Sequence, residues 1–256
     1  WTWLTLANQK LTGVGTHLKF YLELGGEYSD ITPIRSTTTN AATFAATNGS
    51  TTVTVTDSSH GAAVGDFVTF SSAVSLGGNI TAAILNAEHQ LVTVPTANTY
   101  TITTSVAANS SDSGNGGSAT DAAYQIDAGP QTVIPLTGWG ASTWGAGTWG
   151  VGSSGAGVVA LRIWSQSNFG EDLVFGPRGG APYYWDATNG LTTRGVLLSS
   201  LGSASDVPTV QNFILTSDIN RFVFCLGANT IGTSVQDPML LRWSDQESAV
   251  DWTPSA

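Results

Sequence analysis

Charge is scarce in this chain of 256 residues: 10% are Asp, Glu, Lys or Arg, against an ordinary ~25%. Basic residues are scarcer still. No Lys or Arg occurs between Arg35 and Arg162, a gap that holds Asp57, Asp66, Glu88, Asp112, Asp121 and Asp127, and the formal net charge is −10. An acidic surface repels phosphate, which argues against a sequence-reading nucleic-acid binder. A passage that nucleic acid must slide through without sticking would tolerate such a wall, and a plain solvated acidic module would carry the same charge. Cysteine is down to one, Cys225, inside the apolar stretch Phe222-Val223-Phe224-Cys225-Leu226. It can form no internal disulfide, and with nothing nearby to activate its thiol it is expected as a small buried hydrophobe. Three scattered histidines, His17, His60 and His89, satisfy no zinc spacing. The EF-hand loop and the glycine fingerprints of nucleotide sites are missing too. There is no secretion signal and no apolar run of ~18 residues, so no membrane span is expected. The chain begins at Trp1, and is read as processed or as part of a longer one.

What is plentiful is threonine, glycine, valine and aromatics, the composition of β-structure with a hydroxyl-covered surface. The most unusual stretch runs from Gly138 to Gly150, where Trp139, Trp144 and Trp149 stand five residues apart on glycine, alanine and threonine. That period fits neither a helix nor a strand. Rings of this size are therefore expected to find burial in another layer of the protein or in a neighbouring subunit, and the three tryptophans are candidate subunit or partner contacts. A loop folded back over its own sheet is the plainer alternative, and ligand stacking a third.

Hairpin signals recur along the chain. In Leu18-Lys19-Phe20-Tyr21-Leu22-Glu23-Leu24 the even positions are apolar, and Gly25-Gly26 supplies a tight turn before Tyr28-Ser29-Asp30. Leu173-Val174-Phe175 leads through a Gly/Pro-rich turn to Tyr183-Tyr184-Trp185-Asp186. Phe222-Val223-Phe224 leads to Leu240-Leu241-Arg242-Trp243-Ser244-Asp245 and then Trp252-Thr253-Pro254. Leu173 and Phe222 are 49 positions apart, close to the ~40–50 residues of a propeller blade. Leu18 and Leu173 are 155 apart, and the surplus nearly matches the compositionally distinct segment 36–137 of 102 residues. The expected fold is all-β: partial β-propeller-type blades with an inserted small β-barrel or sandwich domain. The domains are then 1–35, a first blade segment; 36–137, the insert; and 138–256, the Trp/Gly loop and further blades. The residues outside the insert suffice for about three blades, fewer than the four a ring needs, so closure by one chain alone is not expected. Within the insert, Thr52–Thr56, Phe67–Phe70, Leu91–Val94 and Tyr100–Thr103 alternate as strands. Ile80 to Ala87 reads as a short helix with Thr81 as N-cap, and Ala107 to Thr120 as a flexible loop or linker.

Chemistry is harder to find. His60 and Asp57 invite comparison with a Ser-His-Asp triad, yet they share one local loop with no nucleophile elbow. Glu171-Asp172, Asp186 beside Trp185, and Asp245 with Glu247 are the candidates for the paired carboxylates of a glycosidase. They read more plainly as turn residues. Asn48, Asn79 and Asn109 head sequons of the kind that Thr/Ser-rich sequence throws up by chance. Arg178, between Pro177 and Gly179, reads as a turn arginine paired with a carboxylate, with anion binding as the alternative. No catalytic, cofactor-binding or metal-binding residues are assigned.

Several stretches are nevertheless familiar. Gly15 to Tyr21 with Tyr28 to Arg35, Asn168 to Leu173 with Tyr184-Trp185-Asp186, and Val235 to Pro238 with Arg242 to Glu247 resemble the tail nozzle (tail tubular B-type) proteins of short-tailed bacteriophages. The Trp252-Thr253-Pro254 close matches as well. The segment with His60-Gly61 and Gly65-Asp66 ahead of Phe67-Val68 is similar to small β-modules of phage tail and fibre proteins. The resemblance implies a virion tail component assembled in the bacterial cytoplasm. It would be a homo-hexameric tube below the portal and adaptor rings, with tail fibre proteins nearby and double-stranded DNA in transit without sequence recognition. It implies no catalytic residue, and the family's further C-terminal blades are not expected within these 256 residues. The rival expectation is a carbohydrate-binding tail fibre or adhesin that stacks sugars on exposed tryptophans and on Tyr183-Tyr184-Trp185.

Overall fold

Short strands joined by glycine and hydroxyl-rich turns are what this composition dictates, and the regular elements of the described residues are nearly all antiparallel β-strands. The structure, a computed structural model, describes residues 3–6, 9–115, 119–127 and 163–254. The described residues divide into two compact units. Those up to Thr32 and from Ile163 onward form the first, and Pro33–Asp127 the second. Every sheet is built of strands from one unit.

The first unit opens with β1 (Trp3–Leu6), β2 (Gln9–Gly15), β3 (Phe20–Leu24) and β4 (Glu27–Asp30), paired in chain order as a four-stranded meander. Leu24 pairs with Glu27 across the two-residue turn Gly25-Gly26, and both glycines have positive φ, 62° and 94°. That is the geometry a right-twisted hairpin selects. Phe20 and Leu22 are buried on one face, while Tyr21 and Glu23 point to the other.

The second unit holds β5 (Ile34–Thr38), β6 (Thr43–Ala46), β7 (Thr52–Thr56), β8 (Phe67–Ser71), the helical turn α1 (Ala82–Leu85), β9 (Glu88–Gln90), β10 (Thr93–Thr96), β11 (Thr99–Thr103), β12 (Asp112–Asn115) and β13 (Asp121–Gln125). Two open sheets, β10-β11-β7-β6-β12 and β5-β13-β8-β9, bury one shared core that includes Phe44, Val53, Val55, Phe70, Tyr100 and Tyr124. In β7 the alternation is complete: Val53 and Val55 point in, Thr52, Thr54 and Thr56 out. Arg35, expected in the first blade segment, lies in β5 of this unit. Thr81 caps α1, accepting from the Ile84 N–H. The helix stops short of Ala87 because the Asn86 amide turns away to hold the Ala73 backbone, at 2.8 and 2.9 Å. The single strand expected over Leu91–Val94 is a crossover: β9 pairs with β8 in one sheet, β10 with β11 in the other. The expected linker 107–120 is also corrected. Ala108 is buried, and β12 forms a sheet edge against β6. Its Ser/Gly/Asn composition hides a strand whose ladder is backbone alone.

Returning to the first unit, β14 (Trp164–Phe169), β15 (Asp172–Pro177), β16 (Tyr183–Trp185) and β17 (Val196–Leu197) form a second four-stranded meander. β18 (Phe213–Thr216), β19 (Val223–Leu226) and β20 (Leu241–Trp243) form a three-stranded third. The second sheet is covered on both faces. Toward the first sheet, Phe20 meets Phe175 and Trp164 with ring centroids 4.8 and 5.2 Å apart. Toward the third, Val174 joins a core of Ile214, Val223, Cys225, Ala249 and Trp252. Hydroxyls of β14 satisfy the edge of β18: the Ile214 and Thr216 N–H groups donate to Ser165 and Ser167 Oγ, each at 3.0 Å.

Gly195 shows how close the first two sheets come. Its N–H donates to the Ile31 carbonyl at 2.9 Å, and a Cβ there would sit 2.5 Å from the ring of fully buried Phe175. Overpacking of this kind costs about 1–3 kcal/mol. Gly195→Ala is therefore expected to lower the chemical-denaturation midpoint of the intact chain, read by tryptophan fluorescence.

Candidate interaction surface

Asp57, His60 and the candidate carboxylates Asp172, Asp186 and Asp245 have structural occupations. Asp57 and His60 are buried in the second unit. Asp57 Oδ2 accepts from Thr38 Oγ1 at 2.5 Å and from the Tyr124 hydroxyl at 2.6 Å. With its proton committed to Asp57, the Tyr124 oxygen accepts from Tyr100, 3.0 Å away. His60 Nδ1 accepts from the Ala62 N–H at 3.0 Å, so the neutral ring carries its proton on Nε2. The imidazole packs edge-on to Tyr100, and the Arg35 guanidinium lies 5.7 Å above the Tyr124 ring. Burial, reinforced for Tyr124 by Tyr100 and Asp57, pushes both tyrosine pKa values far above normal, so neither phenol is a base near neutrality. No serine takes part in this network; it is a polar core brace.

The carboxylates behave similarly. Asp172 accepts a very short hydrogen bond from the Tyr184 hydroxyl and one from the Ala187 N–H at 2.9 Å, fastening β15 to β16 and the turn after it. Asp186 caps that turn through the Thr188 N–H and hydroxyl. Asp245 accepts from the Gln246 N–H, and exposed Glu247 reaches Arg221 at 3.8 Å. Trp185 is 1% exposed and Tyr183 9%, with the Trp185 indole N–H donated to the Thr193 carbonyl. These two rings are core and are not available to stack sugars. Cys225 is fully buried and its thiol pKa is raised by that burial, as its setting implied. Arg178 is exposed in its turn. Among the described residues no group of three or more His, Cys, Asp and Glu could hold a metal ion, and no helix is long and apolar enough to cross a membrane. Trp139, Trp144 and Trp149, the candidate contacts, lie outside the described residues.

A charge cluster that sequence reading missed ties the first sheet to the loop after β16. Asp30 Oδ2 lies 2.8 Å from Lys19 Nζ and 3.2 Å from Arg194 Nη1, and Arg194 also donates to the Thr32 carbonyl at 2.9 Å. Burial alone would raise the Asp30 pKa, but Lys19, Thr32 and Arg194 outweigh it and hold the pKa below the ordinary 3.8.

The surface that stands out is the outer face of the third sheet. Ile214, Val223, Cys225 and Arg242 face its core side. The alternate positions lie in register as two apolar rows, Phe213-Leu226-Leu241 and Leu215-Phe224-Trp243. Phe213 is 50% exposed and Trp243 57%. Among the described residues, β20 has a strand on one side only. Beside it runs a groove of about 390 Å³ lined by Ile231, Leu240, Leu241, Trp243, Trp252 and Pro254 among others. An apolar sheet face beside an open edge is the kind of surface that proteins cover with a partner. The sequence signal was present: the unbroken apolar runs Phe213-Ile214-Leu215 and Val223-Phe224-Cys225-Leu226 mark strands with two apolar faces.

No protein-family model matches the chain, and no curated protein matches it by sequence. Among solved structures it is similar to the endosialidase of phage phi92, at 13% identity and a TM-score of 0.33 over 95% of this chain and 36% of that one. The chain thus spans about a third of that protein's length, and a likeness this slight defines neither fold nor activity.

Two outcomes follow from the geometry. Tyr124→Phe leaves the buried Asp57 short of a donor, a loss of about 1–3 kcal/mol. Tyr100→Phe keeps that donor and costs less; urea denaturation of the two variants gives the order. Because the folded pKa of Asp30 lies below its unfolded value, its contribution is complete above the unfolded pKa and is lost as pH falls through the folded one. The stability gap between the native chain and Asp30→Asn is expected to be wide at neutral pH and to close below about pH 3.8, read from denaturation midpoints across that range.

Proposed function

We propose that this chain is a non-enzymatic structural subunit of a bacteriophage tail nozzle, a homo-hexameric tube through which double-stranded DNA leaves the virion. The observation that carries the reading is the build of the first unit, three successive antiparallel meanders stacked face to face. β14 and β18, the first strands of the second and third sheets, stand side by side, as blades set around an axis would place them. The chain's motif resemblance to the nozzle proteins and its long stretch without basic residues point the same way. In this reading the protein works by shape and electrostatics. Subunits around a symmetry axis enclose a passage, and an acidic, hydroxyl-rich lining holds the DNA backbone weakly. The portal and adaptor rings above and the tail fibres around it are its partners.

Particle imaging of the purified intact chain is expected to show closed six-fold rings, with negligible retention of double-stranded DNA at low salt. A monomer that binds glycans on an array would replace this reading with that of a carbohydrate-recognising fibre module.

A further inference from the structure

We infer that the cavity lined by Arg242 is a binding site for a small hydroxylated monocarboxylate, with the carboxylate on the guanidinium and the hydroxyls on threonine and serine walls. Every residue that lines it belongs to the first unit. The site therefore needs no second subunit, and it goes beyond the ring proposed above.

A buried cation ordinarily sits against a carboxylate, because leaving water is otherwise costly. Arg35, Arg194 and Arg221 follow that rule, meeting Asp66, Asp30 and Glu247 at 3.5, 3.2 and 3.8 Å. Arg242 does not. It is more buried than these three, at 8% exposed, yet among the described residues no carboxylate forms an ion pair with it. Its register beside Cys225 places it on the core side of β20. Nη1 donates to the Asn229 carbonyl at 3.3 Å, and Nη2 donates to the Asp206 carbonyl in a very short bond. A guanidinium has five N–H donors in a planar fork, so two neutral acceptors leave both its charge and its remaining donors unmatched. Burial lowers its pKa, with the charge of Asp206 acting the other way, but an arginine side chain stays protonated.

The cavity is about 310 Å³, and its other polar walls come from Ser199, Asp206, Thr209, Asn229 and Thr233. Buried Asn229 holds it in shape. Its Oδ1 accepts from the Thr209 and Val210 N–H groups at 2.8 and 3.3 Å, and its Nδ2 donates to the Thr230 and Thr233 carbonyls at 3.2 and 2.6 Å. One amide thus ties the loop before β18 to the loop after β19, the kind of pre-set wall that a small-ligand site requires. The ligand class follows from what these walls carry. A planar carboxylate matches the guanidinium fork, two oxygens to two donors. The hydroxyls of Ser199 and Thr209 make no hydrogen bond within the described protein, and each can pair with a ligand hydroxyl. Asp206 is exposed and the chain carries a net charge of −10, which repels a dianion such as sulfate more than a singly charged acid.

Calorimetric titration of the intact chain with D-glucuronate tests this. One saturable site is expected, with neutral D-glucose weaker by at least about tenfold, the loss that one charge-assisted pair implies. Sulfate is expected to bind more weakly than glucuronate. Arg242→Lys keeps the cation without the fork and should weaken glucuronate by a similar factor. Thr209→Val should weaken it too while leaving the denaturation midpoint in place. If Arg242→Lys fails to fold, Thr209→Val and the comparison with glucose and sulfate still decide. Uptake of the methyl glycoside of glucuronate would assign the ligand to an acidic sugar at a chain end, and its exclusion to a free acid; either upholds the site. Absence of glucuronate binding, equal affinity for glucose, tighter binding of sulfate, or affinity unchanged in Thr209→Val would each overturn the inference.

Discussion

The aromatic contact of Phe20 with Trp164 and Phe175 joins parts of the chain more than 140 positions apart, and the first unit depends on it. Closing so long a loop is entropically unfavourable, though the cost rises only slowly with length. The buried rings of Phe20 and Phe175 with half-buried Trp164 against them, the Asp30 cluster and the Gly195 contact offset it in one place. The second sheet can then serve as a middle layer with two apolar faces. Without the first sheet, Phe175 would be exposed to water.

Polar groups divide the labour differently in the two units. In the second, a buried chain of hydroxyls, Tyr100 to Tyr124 to Asp57, braces one core, with Thr38 supplying a further donor to the carboxylate. In the first, Ser165 and Ser167 of β14 accept from the edge of the next sheet, and Ser165 also donates to the Gly176 carbonyl. Both devices satisfy backbone or carboxylate groups that burial would otherwise leave costly.

Much of the strand pattern was legible because period-two alternation and turn glycines are local signals. Thr52–Thr56, the Gly25-Gly26 hairpin and the Thr81 cap need no knowledge of the rest of the chain. β12 and β13 escaped notice for opposite reasons. The first has the composition of a linker, and the second carries its apolar face on Ala122 and Tyr124 beside Asp121 and Gln125. The Asp30 cluster was invisible because Arg194 reaches it from 164 positions away. The site was less legible than the fold. Tyr183 and Trp185 looked like a binding platform, since sequence cannot tell a buried ring from an exposed one. The apolar outer face of the third sheet emerged only once register aligned Phe213, Leu226 and Leu241.

The ends of the second unit are bound to each other. β5 pairs with β13, and the Ile126 N–H donates to the Pro33 carbonyl at 3.0 Å. A segment whose two termini leave side by side spans almost no distance for the chain that carries it. Such a cassette can be lengthened, swapped or discarded by recombination while the surrounding architecture keeps its registration. Its surface is therefore free to diversify at a pace the stacked meanders cannot follow.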